Sequence, residues 1–395
     1  MTMLFCNCKI KTIAGKDIEN GYIRIDGAII SDVGEMKDFK KADNEHEIDL
    51  CHNVTVYPGF IDAHSHVGVF GDSQGQEATD ANEVTDPVTP HLSALDAVNP
   101  ADRCFDEALM AGVTTVITGV GSANVIGGSL IAVKTYGSLR LDNRVIKSPI
   151  AIKMALGENP KMCYQDRDEA PTTRMASAAA IREQLSKARR YLEDIAAFEQ
   201  SKRDGGDLSL PEYDAKNEAL LPLLRGEINA HIHCHRADDI FTAIRICNEF
   251  KIGYVLVHVT ECAKIADELK EEALILGPVI CERSKPELAA LDITAAAQMS
   301  KAGANFAVCT DHPVVPIQYL PLCAGLCIRG GLDENEALKA ITLNAAKICG
   351  IDDRVGSIET GKDADLLFYK SDAKFYDVLA TPHTIIAGGK IVKSN

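Results

Sequence analysis

Tyr57–Gly68 reads YPGFIDAHSHVG. Pro58 and Gly59 are expected to turn the backbone, Phe60 and Ile61 to continue as a buried strand, and the strand then ends on two histidines one residue apart. Side chains alternate across a strand, so His64 and His66 should point the same way at its C-terminal end, with Asp62 just below on the same side. Two imidazoles converging on one point suit a divalent metal. Alone, the pair also fits, less well, two polar residues closing a surface strand.

Working outward, short apolar runs alternate with helical patterns from about Val56 to Gly350. Strands are expected at Val56–Asp62, Val113–Thr118, Ser129–Lys134, Pro149–Leu156, Glu227–His233, Gly253–His258, Ile275–Cys281 and Ala304–Thr310. Helical stretches fall between several of them, at Ala101–Ala111, Met175–Arg203, Asp239–Phe250, Ala263–Glu272 and Pro286–Lys301. This alternation is the signature of βα units around a parallel sheet. Eight strands over this span fit a (β/α)8 TIM-like barrel, for which about 250 residues is typical. The third strand carries the weakest signal. A doubly wound sheet is the competing arrangement, but no Gly-rich nucleotide turn follows the first strand.

The two ends of the chain share a β character that the middle lacks. Gly21–Ile30 alternates apolar and polar residues around an Asp26-Gly27 turn signal, and Ala364–Tyr369 and Thr384–Val392 look alike. The expected fold class is therefore α/β: a barrel over residues 56–354 and a small β-sandwich built from residues 1–55 plus 355–395. Gly68 to Pro100 is expected to be a long loop over the barrel mouth. Residues 175–203, rich in Ala, Glu, Lys and Arg, read as one long helix with a structural or interface role.

Composition narrows the partners. The net charge of −16 argues against nucleic acid and anionic membranes, and no run approaches the roughly 20 apolar residues of a membrane span. Hydrophobic residues make up 46% while aromatics are only 5%, so aliphatic packing must build the core. Thirteen cysteines, an odd number without paired spacing, read as reduced thiols, and MTMLFCNCKI lacks a signal-peptide pattern. A cytoplasmic protein is expected, with Cys6 and Cys8 as core or edge-strand residues.

In barrels the working residues sit at the C-terminal strand ends. Those ends offer His64 and His66; Lys153 in IAIKMALGEN; His231, His233 and His235 in INAHIHCH; His258 in VLVHVTE; and Asp311 in AVCTDHP. A lone strand histidine is usually structural, and a strand-end Asp often caps the next helix. The agreement of four strand ends carries more weight, since seven of the eleven histidines lie in or next to these segments.

The order HxH, Lys, His, His, Asp at strands one, four, five, six and eight resembles the amidohydrolase superfamily, of which PGFIDAHSH is a specific signature. Asn335–Gly350 (NEALKAITLNAAKICG) and Val355–Leu366 (VGSIETGKDADL) resemble the family's last helix and its return to the β-sandwich. GVTTVITGVGSANVIGG and VHVTE look most like the imidazolonepropionase and Xaa-Pro-dipeptidase-like branch.

The resemblance implies a metal-activated hydroxide attacking an amide or related carbon of a small molecule. His64, His66 and Asp311 would hold the more buried metal, and His233 and His258 the more exposed one. Lys153, carboxylated by carbon dioxide, would bridge the two, with Glu158 as the alternative bridging ligand. Asp311 would move the nucleophile's proton to the leaving nitrogen. Oxygen and nitrogen ligands suit zinc, with iron, manganese or nickel as substitutes. His233 fits the family's strand-five pattern best, although the choice among His231, His233 and His235 stays open. His235 and Arg236 would then be substrate contacts, Arg236 for a carboxylate.

Three functions follow from these residues. The first is metal-dependent hydrolysis of an amide, cyclic amide, N-acyl amino acid or small dipeptide. The second is mononuclear imidazolonepropionase- or deaminase-type hydrolysis. Deaminases of this fold usually place a Glu where Arg236 stands, and imidazolonepropionases lack a bridging lysine where Lys153 stands. The third is a metal-free binding or scaffolding relative; such relatives lose the ligands, and here all are present. Homo-oligomers are common among the relatives.

Overall fold

The computed structural model describes residues 2–41, 47–71 and 75–394. Sixteen strands run along these residues: β1 (Thr2–Ile10), β2 (Ile18–Asp26), β3 (Ile29–Glu35), β4 (Glu47–Asp49), β5 (Val54–Pro58), β6 (Phe60–Asp62), β7 (Val113–Gly119), β8 (Ile126–Lys134), β9 (Val145–Ala155), β10 (Asn229–Cys234), β11 (Tyr254–His258), β12 (Leu274–Leu276), β13 (Phe306–Val308), β14 (Leu366–Lys370), β15 (Thr384–Ala387) and β16 (Lys390–Ser394). They divide into two sheets of eight.

The first sheet joins both ends of the chain in the order β16-β15-β14-β5-β1-β2-β3, with β4 beside β1. Gly27, at φ +60°, makes the left-handed turn that folds β2 onto β3. Its buried face is aliphatic, with Ile23, Ile25, Val56, Leu366 and Ile386 around Phe5 and Phe368, whose rings lie 4.9 Å apart.

The second sheet, β6 to β13 in sequence order, curls into a TIM-like barrel. Ile61, Ile117, Leu130, Val255, Val257 and Ile275 fill its interior, and Ala345 and Ile348 of the helix Leu343–Ile348 pack into the same cluster. Burying each such aliphatic side chain contributes about 2 kcal/mol. The ends of the sheet meet at the mouth: the Asp311 N–H donates to His64 O at 3.2 Å, and the His66 N–H to His312 O at 2.9 Å. Beneath them the Asp62 carboxylate accepts from the Thr310 N–H, at 3.2 Å to Oδ2.

Three local readings are refined. The expected strand Val56–Asp62 is divided at Gly59: β5 pairs with β14 and β1 in the outer sheet, while β6 pairs with β7 in the barrel. A side chain at Gly59 would meet Thr114 Oγ1 at 2.0 Å, so only glycine lets the chain cross between the sheets there. The third barrel strand, β8, runs antiparallel to both neighbours. Its connections, residues 120–125 and 135–144, are too short for a parallel crossover, which takes a dozen residues or more. The seventh, β12, stops at Leu276 because Gly277 turns at φ +138° before Pro278. Residues 277–293 are thereby released as a loop that walls the mouth.

The long helix is Arg174–Arg203, capped by the Thr173 hydroxyl accepting from the Ala176 N–H. Ser177, Ala178, Ile181, Gln184, Leu185 and Ala188 form its buried stripe at helical spacing. Among the described residues, no helix is long and apolar enough to cross a membrane.

Candidate active site

The polar residues at the C-terminal strand ends converge. Lys153 of β9 is fully buried, with Nζ 3.0 Å from His64 Nε2. Burial pushes this amine down to about 8. Burial also holds the His64, His233 and His258 imidazoles well below their ordinary range, and lowers His235 to about 4. The site therefore presents neutral imidazoles, the form that can donate a lone pair.

Backbone carbonyls fix two of the rings. His66 Nδ1 lies 2.8 Å from Gly119 O, and His258 Nδ1 lies 2.7 Å from Gly277 O. A carbonyl only accepts, so each Nδ1 carries a proton and each Nε2 is turned towards the site. Asp311 Oδ1 stands 3.5 Å from His64 Nε2 and 3.4 Å from His66 Nε2. His258 and Asp311 both adopt left-handed backbone, at φ +76° and +55°. Such strain costs of order 1–3 kcal/mol per residue and concentrates at functional sites.

His233 packs 4.5 Å from His258 between ring centroids, and His235 stacks on His258 at 4.7 Å. His235 Nδ1 is held by Thr260 Oγ1 at 2.6 Å. Two groups have ligand atoms all within 4.8 Å of one another: His64, His258 and Asp311, and His233, His235 and His258. His258 belongs to both. His231 falls in neither; it pairs in register with Lys153, and burial lowers it to about 3.

The donor set fits a divalent cation. His233 is buried with neither ring nitrogen hydrogen-bonded, and His64 Nδ1 is also without a partner. A buried, unsatisfied polar nitrogen costs about 1–3 kcal/mol, and a metal bound at His233 would remove that cost. Imidazole and carboxylate donors without thiolate suit zinc and its neighbours.

The remaining candidates divide. Arg236 forks onto Asp238, at 3.0 Å through both Nε and Nη2, and does not line the cavity above the histidines. Glu158 does line it; its N–H donates to Glu287 Oε2 at 3.0 Å. Glu287 has no counterpart in the sequence reading. It is buried, and its Oε1 stands 3.7 Å from Nε2 of both His233 and His235. Its only sequence signal is the short Lys285-Pro286-Glu287 run in the loop after strand seven.

The cavity measures about 630 Å³. His66, His233, His235 and Asp311 contribute to its lining, and Phe70, Met162, Leu288 and Val314 supply apolar surface.

A barrel whose histidines and acid gather at its C-terminal mouth has the layout of an enzyme active site. The sequence profile of the amidohydrolase family matches residues 224–392. The chain superposes on the crystal structure of an amidohydrolase from Thermotoga maritima with a TM-score of 0.92, at 37% identity over the whole of both chains. It is 28% identical to the amidohydrolase tasK of Hapsidospora irregularis over 80% of this chain, a match that spans only 34% of tasK. It is 25% identical to the imidazolonepropionase of Phocaeicola vulgatus over 96% of this chain and 93% of that protein. The chain belongs to the amidohydrolase family, whose members are hydrolases acting on carbon–nitrogen bonds.

Proposed function

We propose that this chain hydrolyses the C–N bond of a small amide at a divalent metal centre. His64, His66 and Asp311 would hold one ion, and His233 and His258 a second. Lys153, as its carbamate, would link the two. The observation that carries this reading is the convergence of a buried lysine, an aspartate and neutral imidazoles on one point, with His258 shared by both ligand groups. Burial pushes Lys153 down to about 8, towards the neutral amine that carbamate formation requires.

Bound there, a divalent cation would polarise the substrate carbonyl and bring the pKa of a water towards neutrality. Asp311 takes the attacking water's proton and returns it to the leaving nitrogen, so the carbonyl carbon gains the oxygen as the C–N bond breaks. Gly119 O and Gly277 O hold the His66 and His258 rings in place through the cycle. The thirteen cysteines are all unpaired, which suits a reducing compartment, and we place the enzyme in the cytoplasm.

The test is elemental analysis of protein purified without chelator, together with a screen of the zinc-loaded protein against N-acyl amino acids, dipeptides and cyclic amides. Two metals per chain and amine release from one class are expected. No bound metal and no turnover of any class would overturn the proposal.

A further inference from the structure

The amides open to such a centre include neutral rings and acids alike, and the wall of the cavity distinguishes them. Among the described lining residues, Lys285 is the single lysine or arginine. Its ammonium sits 2.5 Å from Asn159 Oδ1 and 3.2 Å from Glu287 Oε1. Asn159 is itself fixed, its Nδ2 donating to Ser122 Oγ at 2.8 Å. Glu287 is held by the Glu158 N–H on its other oxygen. An ammonium has three donors, and these two partners leave one to spare. Its partners are thus pinned by Ser122, before β8, and by the first turn of the helix Glu158–Gln165, while Lys285 itself lines the cavity.

The placement fixes a distance class. Glu287 Oε1 is 3.2 Å from Lys285 Nζ and 3.7 Å from Nε2 of both His233 and His235. The lysine therefore stands one carboxylate away from the histidines. In an N-acylated α-amino acid only two bonds separate the carboxylate carbon from the amide nitrogen. A carboxylate on Lys285 would leave the scissile amide beside the histidines, and the side chain facing Phe70, Met162, Leu288 and Val314. Of the acids nearby, Glu287 is taken up by Lys285 and the Glu158 N–H, Glu282 is exposed with the exposed Arg283 next to it, Glu158 is half-exposed, and Asp311 belongs to the metal group.

We propose that Lys285 is the anchor for a substrate carboxylate, and that the substrates are N-acyl amino acids or dipeptides with a free carboxyl group rather than neutral cyclic amides. The inference rests on the hydrolase reading above and narrows it. Lys285 acts by binding; it takes no part in the proton transfers.

The experiment is calorimetric titration of a panel of N-acetyl L-amino acids, each paired with its own carboxamide, into the zinc-loaded Asp311→Asn protein with Lys285 intact, as Lys285→Gln and as Lys285→Arg. With Lys285 intact, at least one acid should bind about tenfold or more tighter than its amide, the margin of one charge-assisted hydrogen bond. Lys285→Gln should erase that difference, and Lys285→Arg should restore part of it. Equal binding of acids and amides, tighter binding of amides, or a preference that survives Lys285→Gln would overturn the proposal. Turnover by the parent enzyme separates the two readings. Lys285-dependent binding with no hydrolysis of any panel member would sink the hydrolase reading and leave Lys285 as a carboxylate anchor, whereas hydrolysis indifferent to the carboxyl group would sink the anchor and leave the hydrolase.

Discussion

The amine of Lys153 lies 3.0 Å from Nε2 of His64, and both side chains are sealed from solvent. Two nitrogen bases this close cannot both be cations at modest cost, and burial favours the neutral form of each. A lysine kept as a permanent cation would be a poor neighbour for metal ligands. Lys153→Met keeps the bulk and removes the amine. It should reduce bound metal from two ions per chain to one and lower kcat/KM about 100-fold or more, the scale on which metal-site partners act. Protein loaded with ¹³C-bicarbonate should show one carbamate resonance by NMR, absent in Lys153→Met. Two metals retained in that variant would exclude the bridge.

Asp311 touches both His64 and His66, and its left-handed backbone aims the carboxylate at them. Asp311→Asn preserves the shape and removes the base. A drop in kcat of about 10³-fold with KM little changed is the expected result, within the usual span of general acid–base catalysis. A thermal melt within a few degrees of the parent would show that the fold survives. Activity within tenfold of the parent would remove Asp311 from the proton path.

Metal should also stabilise the fold, because the buried His233 ring, with neither nitrogen hydrogen-bonded, would gain a partner when it binds. A ligand present at 100–1,000 times its dissociation constant adds about 3–4 kcal/mol to the folded state. Stripping the protein with chelator should lower Tm by several degrees, and zinc should restore it while magnesium does not. An unchanged melt across these conditions would argue against a metal at the histidines.

Behind the site, Arg174 lies 3.0 Å from the buried carboxylate of Asp239. Burial raises Asp239 above the ordinary carboxylate value, with Arg174 opposing. The folded state therefore binds this proton more tightly than the unfolded one, and stability falls as pH rises from the unfolded pKa through the folded one. Arg174→Leu removes the opposing charge and should steepen that fall. The expected cost near neutral pH is about 2 kcal/mol, discounted because Arg174 is itself partly exposed, and it should shrink in acid. Urea melts at several pH values would read it; a loss independent of pH would assign it to packing alone.

The strand ends were legible because alternation is a local property, although β6 itself stops at Asp62 and His64 and His66 follow just beyond it, their rings edge to face at 5.1 Å. Asp311 and Lys153 were legible through the motif each sits in. Glu287 was not, since its value comes from contact with His233 and His235, more than fifty residues away, across a loop with no periodicity. The placement of Lys285 and the turn of Arg236 onto Asp238 depend equally on loop geometry. The direction of β8 was hidden for a related reason. An apolar run reads the same in either orientation, and only its short flanking connections decide it.

That reversed strand has a consequence for anyone wishing to re-engineer the mouth. Because β7, β8 and β9 are joined by short connections, no crossover helix clothes that side of the barrel. The segment before it does so instead: the Thr89 N–H donates to Ile126 O, the Ser129 N–H to Leu92 O, and the Gly121 N–H to Ala81 O. A side chain at Gly128 would meet Leu92 O at 2.4 Å, so the two backbones are in direct contact. In most barrels such an excursion is an interchangeable ornament. Here it is upholstery sewn to the frame, and grafting a relative's loop between Gly68 and Pro100 would uncover β8 before it altered selectivity.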